Sequence, residues 1–479
     1  VPYPVAAARG KSGGPEDALY VAKTGNDSNR GDSASPYLTI AKALTVVAAG
    51  QTIYVRAGTY TENLSIPRSG TAGKRITLRG FPGETATIAG GASACIKFLD
   101  NYQYWTISDL TFTSTASLNY GAMGSAIEQD SATGVDNLIV ERISANCAVI
   151  LSGANNIIRN NTFNGTGNTT YAINGAIFFR ESRTTGLQIY GNTISNWAGR
   201  GIWLYQDIVD PQVYNNTIHD ITAIDDTHMG INADGYGHES NGGDYYGNVI
   251  YNIIGTYGTG ITFENGLNAP VARNNLIHDC TRGIGFINYE EDGLDETACN
   301  AVVKNNILYH CLNPFNIITA PGLSFFHNTI ADCLTADDQN VFYLQGTAAQ
   351  LAGLVVKGNI YKHNGDGGTS DSIFSFQSDY TILTTTNVAY NDWYHRSTNV
   401  VHRRSDWAGQ NWAAWTGAGY DANSIESDPL FTDGTNHDYT LQTGSPAKDT
   451  ATNLGVADDY AGNARPLGAG YDMGAYERA

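Results

Sequence analysis

Apolar and polar positions along this chain alternate in short runs instead of falling at helical spacing, and one polar position recurs. An asparagine followed by two strand-type residues stands at Asn161 (NTF), Asn192 (NTI), Asn216 (NTI), Asn248 (NVI), Asn275 (NLI), Asn306 (NIL), Asn328 (NTI) and Asn359 (NIY), at intervals of 22 to 32 residues. A short unit with inserted loops of varying length fits one turn of a parallel β-helix, three short strands to the turn. Five residues past the asparagine, the central turns carry Trp197, Ile221, Ile253, Cys280, Cys311 and Cys333. That column is apolar and faces the core; its cysteines stack on successive turns and read as a reduced internal ladder. The asparagines read as an amide ladder at a turn where Asn itself tolerates left-handed geometry.

A second strand aligns on a small residue followed by an apolar one: AIFFRES (176–182), GIWLYQD (201–207), GINADGY (230–236), GITFENG (260–266) and GIGFINY (283–289). Period-two alternation puts Ile177, Ile202, Ile231, Ile261 and Ile284 inside, and again Phe179, Leu204, Ala233, Phe263 and Phe286. The positions between them are expected to face solvent. One such column reads Phe178, Trp203, Asn232, Thr262, Gly285, and the next Arg180, Tyr205, Asp234, Glu264, Ile287.

Composition sharpens this picture. Glycine (54) and tyrosine (29) are abundant and charged residues make up only 15%, a turn-rich β composition. A formal charge of −19 argues against a nucleic-acid partner and against a strongly anionic polymer, unless cations intervene. No apolar run approaches the roughly 18 residues of a membrane span, and the first residues, VPYPVAAARGKSGG, lack the apolar centre of a signal peptide. The reading is a processed or trimmed secreted chain. Cys95, Cys147, Cys280, Cys299, Cys311 and Cys333 form no C-x-x-C pair, so structural burial is expected of them.

The candidate chemistry lies in the outward columns. Neighbouring strands sit about 4.8 Å apart, so Asp234 and Glu264 should project side by side, with Tyr205 and Arg180 beyond Asp234. Two carboxylates that close tend to split into an acid and an anion. Retaining glycosidases hold theirs about 5 to 5.5 Å apart and inverting ones roughly 6.5 to 9.5 Å, and stacked turns supply the shorter distance. Trp203 and Tyr205, with Tyr236 and Tyr289 at the edge, would form a platform for a sugar ring; Arg180, Asn232, His228 and His238 would hold hydroxyls or tune the acids. The plainer alternatives are a solvated acidic face or a Ca²⁺ site stapling two turns. Asp225, Asp226, Glu290, Glu291 and Asp292, in the longest insertions, are candidate Ca²⁺ ligands or cleft walls, and His228, His238 and Asp234 a zinc set. No cofactor is expected to be required, a structural Ca²⁺ being a candidate.

The segment ALYVAKTGNDSNRGDSASPYLTIAKAL, followed by GQTIYVRAGTYTENLSIPRSGTAGKRITLRGFPGE, resembles the amino-terminal portion of secreted right-handed parallel β-helix carbohydrate enzymes. It is similar to family 9 polysaccharide lyases (pectate lyases) and to β-helical glycoside hydrolases such as the family 120 β-xylosidases. DPLF (428–431), GSPAKD (444–449) and YDMGAYE (471–477) resemble the tail shared by many such proteins. The resemblance implies an all-β chain: a tail over 1–18, an N-terminal cap with a short helix over 19–50, a single right-handed parallel β-helix over 51–385, and a C-terminal extension over 386–479 packed on the solenoid. Trp393, Trp407, Trp412 and Trp415 fall in that extension and read as buried packing.

GINADGYGHES with the following GNV resembles the lyase family's N-A-D-G segment, so Asp234 would match a calcium-binding acid. The family's N-S-D-D-G-x-D cluster should follow on the next turn; here TYGTGITFENG offers only Glu264. The lyase base is a lysine, and none stands between Lys97 and Lys304, leaving Arg180, Arg200 or Arg282 as substitutes. The leading expectation is therefore a glycoside hydrolase acting on a largely neutral xylan- or glucan-type polysaccharide, with Asp234 as nucleophile and Glu264 as acid/base. A calcium-dependent lyase and a non-catalytic carbohydrate-binding or surface protein are the alternatives.

Overall fold

Strand follows strand at the spacing the asparagines set. The computed structural model describes residues 18–99, 101–115, 124–129, 134–165, 175–180, 183–222, 228–236, 242–287, 299–333, 340–363, 372–376, 383–384, 386–394, 399–403 and 408–479. Their strands form a parallel β-helix of three long sheets with 14, 14 and 13 strands, the last strand of the second, Ala408–Gln410, being added antiparallel. Each turn of the solenoid gives one strand to each sheet, because strands too short to bury both faces alone must stack on the next turn.

The helix Ile40–Val46 closes the open N-terminal end. Thr39 caps it through its hydroxyl to Lys42 N–H, and the Glu62 carboxylate accepts from Ile40 and Ala41 N–H, satisfying donors that a helix start leaves open. Ile40, Ala43 and Leu44 are buried against the first turn.

The amide ladder is present and longer than the repeat suggested. From Asn161 to Asn359 each carboxamide NH₂ donates to the next Oδ1 at 2.9–3.1 Å. Each backbone N–H reaches the same oxygen at 2.9–3.1 Å. Asn391, hidden in the sequence because Asp-Trp follows it, is the last rung and donates to Asp421 Oδ1 at 3.2 Å. The expected geometry needs one correction. The left-handed residue is not the ladder asparagine but the one before it: Asn160, Gly191, Asn215, Gly247, Asn274, Asn305, His327, Gly358 and Tyr390 all have positive φ. That kink turns the chain inward, which is why the next amide is buried and must bond along the stack.

Cys280, Cys311 and Cys333 do stack, with Cys311 N–H on Cys333 Sγ at 3.3 Å, and all six cysteines are buried free thiols. Near the C-terminal end, Trp393 and Trp415 are buried and donate their indole N–H groups to Asp421 Oδ2 at 3.0 and 2.8 Å. Trp412 is half-buried, and Trp407 lies outside the described residues. The last residues run back along the outside of the 13-stranded sheet, where Phe431, Tyr439, Leu441 and Met473 cover Ile307, Tyr309 and Ile360. A fully buried Arg465–Glu477 ion pair at 2.5 Å staples them, with Arg465 also donating to Asn305 at 3.1 Å. Among the described residues no helix is long and apolar enough to cross a membrane.

Candidate active site

The second 14-stranded sheet carries the aligned segments as the strands Gly175–Phe179, Arg200–Tyr205, Met229–Asp234, Thr259–Glu264 and Arg282–Ile287. Their register follows the sequence alignment residue for residue. Phe178, Trp203, Asn232, Thr262 and Gly285 pair across successive turns, as do Tyr205, Asp234, Glu264 and Ile287. Asp234 and Glu264 are therefore one strand spacing apart, about 4.8 Å between backbones.

The expected solvent face is the main correction. Phe178, Asn232 and Thr262 are buried, Asp234 is 8% exposed and Glu264 5%. Side chains one spacing apart on this face cover one another instead of standing free. Trp203 stacks on Phe178 at 4.4 Å and 9°, and the Arg200 guanidinium lies 4.1 Å from its ring. Both faces of the Trp203 indole are thus taken, and it is not the open sugar platform expected of it. Tyr205 and Tyr236, stacked at 6.1 Å, are half-buried, as is Arg180. The two acids are covered, not displayed on an open shelf.

The two carboxylates sit in different surroundings. Asp234 Oδ1 accepts from Tyr236 N–H and from the Asn265 carboxamide, each at 3.0 Å, and such donors favour the anion. Asn265, left-handed at φ 47°, brings its amide back over the preceding turn. Gly235 makes this close approach possible, since a Cβ there would stand 2.3 Å from the Asn265 carbonyl oxygen. Glu264 is pushed up to about 7, first by burial and then by the charge of Asp234, with the cation of Arg200 and the Asn232 amide opposing. The Asn232 NH₂ lies on the Glu264 side without a bond of full geometry, while its Oδ1 accepts from Arg200 Nε at 2.8 Å. Arg200, Asn232 and Glu264 thus form a polar chain across three turns.

Arg200 and Asn265 are the site residues that the column alignment missed. Arg200 stands at the head of its strand, paired with Met229 and three residues ahead of the Trp203 column, yet its long side chain lies back over that column. Its place before Gly201, three residues ahead of the aromatic that pairs with Asn232, was the available signal. Replacing Arg200 with Met should let the Glu264 pKa rise further, because the cation that lowers it is gone. The alkaline limb of a pH–rate profile should then move to higher pH; an unmoved limb would separate Arg200 from Glu264.

His228 is buried at the start of the strand that Asp234 ends, packed under Gly255, where a Cβ would meet its ring at 2.2 Å. Six extended residues, about 20 Å, separate it from Asp234, so the zinc set does not assemble. His238, Tyr289, Asp225, Asp226, Glu290, Glu291 and Asp292 lie outside the described residues. Among the described residues no three His, Cys, Asp or Glu side chains come together as a metal would need. The described residues around Asp234 do not form the calcium cluster that the lyase resemblance implies. Among the described residues Glu264 is the acid paired with Asp234, and the Arg200 cation beside it opposes a second positive charge.

The sequence profile of the Pel9A-like, right-handed beta helix region matches residues 19–259, half of the chain. "Uncharacterized protein YwoF" of Bacillus subtilis (strain 168) is 26% identical over 468 residues, covering 91% of this chain and 93% of that protein. Pectate lyase PEL9 of Emericella nidulans is 33% identical over 109 residues, 19% of this chain and 27% of its own length. Of solved structures, the complex of XylC with xylose superposes over 96% of this chain and 99% of that one, with a TM-score of 0.56 and 13% identity, a likeness of fold. On the strength of the match over residues 19–259, the chain belongs to the Pel9A-like right-handed β-helix family.

Proposed function

We propose that this protein is a glycoside hydrolase that cleaves a neutral plant or microbial polysaccharide, of xylan or glucan type, or the oligosaccharides derived from it. One observation carries the reading: two buried carboxylates on adjacent strands, one held by hydrogen-bond donors and the other kept protonated to near neutrality. Asp234 attacks the anomeric carbon while Glu264 gives its proton to the glycosidic oxygen, so the leaving sugar departs with a hydroxyl. The product is a glycosyl ester on Asp234. Esterification removes the charge that helped raise Glu264, so its pKa falls and its carboxylate becomes the base for the incoming water. Water then attacks the anomeric carbon, frees Asp234 and returns the proton to Glu264.

A strand spacing of about 4.8 Å suits the short carboxyl separation of this double displacement. The first-formed product should keep the anomeric configuration of the substrate, as proton NMR of the fresh reaction reads directly. An inverted product would rule out Asp234 as nucleophile.

A second reading is favoured by the placement of Arg200 and by the family itself. Arg200 bonds Asn232 and lies against Trp203 beside the pair, and on this reading it is the base of a β-elimination. That reaction requires a uronic-acid polymer and leaves unsaturated, ultraviolet-absorbing ends, which hydrolysis does not.

A further inference from the structure

On the side of the carboxylate pair away from Trp203, the same column continues through Thr262, Gly285 and Asn316, paired turn by turn. Asn316 is fully buried, and neither its amide oxygen nor its amide nitrogen has a hydrogen-bond partner. The buried hydroxyl of Thr262 also lacks one. This contrasts with the ladder from Asn161 to Asn359, where each buried amide both donates and accepts along the stack. A buried amide with both capacities unmet is costly, and a ligand that meets both would remove that cost.

Gly285 separates the two. Its φ is not left-handed, and an added Cβ would meet nothing nearer than 3.5 Å, so neither backbone nor packing demands glycine. What it does is leave the column without a side chain between Thr262 and Asn316. These stand two strand spacings apart, about 9 to 10 Å, the scale of one sugar ring with its hydroxyls. The polar lining is uncharged: a hydroxyl, an amide donor and an amide acceptor. Buried Ile287, next to Glu264 in the adjoining column, supplies an apolar wall. Such a lining matches vicinal hydroxyls and offers nothing to a carboxylate.

We propose that Thr262, Gly285 and Asn316 form a subsite for a neutral sugar ring, contiguous with the carboxylate pair and on its Glu264 side. The assignment of that ring as the leaving group rests on the hydrolase reading, since Glu264 is the group that protonates the departing oxygen. The existence of the subsite does not.

The test is calorimetric binding of xylobiose, cellobiose and xylose to the Glu264→Gln protein, alone and combined with Asn316→Ala or Gly285→Val. At least one disaccharide should bind, and either second substitution should weaken it by about tenfold or more, with xylose changed less than about threefold. Melting temperature should hold or rise in Asn316→Ala, because an unmet buried amide is removed; a structural asparagine would lower it. Equal losses for disaccharide and monosaccharide, no loss for either, or no disaccharide binding at all would overturn the subsite. If the wild-type protein instead releases unsaturated ends while the disaccharide-specific loss persists, the hydrolase reading fails and the subsite stands.

Discussion

Glu264→Gln is expected to lose hydrolysis by about 10²- to 10⁴-fold while making the protein more stable above pH 7. The two effects have one cause. Glu264 titrates at about 7 in the folded chain against an ordinary value of 4.5, because it is buried beside Asp234. Between those values the folded chain holds a proton that the unfolded chain has released. Stability therefore falls as pH rises from about 4.5, and the full loss, about 3 kcal/mol, is reached above 7. Glutamine has the shape of the protonated acid and cannot ionise, so the variant escapes this loss. At pH 8 it should exceed the wild type by about 2–3 kcal/mol in denaturant unfolding, and at pH 4.5 the two should nearly coincide. Parallel stability curves across that range would mean that Glu264 is not a strained acid. On the proposed hydrolase reading the same titration would govern catalysis, since general-acid activity needs the proton and should decline as pH passes about 7.

Asp234→Asn carries the larger expected loss of activity, on the order of 10⁴-fold. The amide keeps the size of the side chain, but it cannot attack the anomeric carbon. The substitution also removes the neighbouring charge that raises Glu264, so the Glu264 pKa should fall, the reverse of the shift expected for Arg200→Met. Steady-state rates on an aryl glycoside with a good leaving group separate the two acids. Such a substrate needs little help from an acid, so Glu264→Gln should recover part of its rate while Asp234→Asn should not. Equal recovery in both would break the assignment of roles.

Much of this site was legible in the chain because a solenoid turns sequence offset into spatial neighbourhood. Once the small-apolar segments were aligned, Asp234 and Glu264 became adjacent, and the strand register agrees at every pair from Ile177 to Ile287. Alternation gives the sense in which a side chain points, but not what lies above it. That is why Trp203 and Asn232 read as surface residues and proved to be buried. Nor does alternation follow a long side chain back along its own strand, which hid Arg200. Asn265 was hidden for a different reason: its left-handed backbone breaks the alternation and aims its amide at Asp234 on the preceding turn. The asparagine ladder was found by its repeat, whereas the left-handed position before each rung is filled by Asn, Gly, His or Tyr and shows no single residue to follow.

The claim that the Asp234–Glu264 pair hydrolyses a neutral glycan is tested most directly by a polysaccharide panel scored at once for new reducing ends and for unsaturated ends. Wild type, Asp234→Asn and Glu264→Gln are compared side by side. New reducing ends on a xylan- or glucan-type substrate, without unsaturation and lost in both variants, are the expected result. Unsaturated ends, or activity undiminished in both variants, would contradict it.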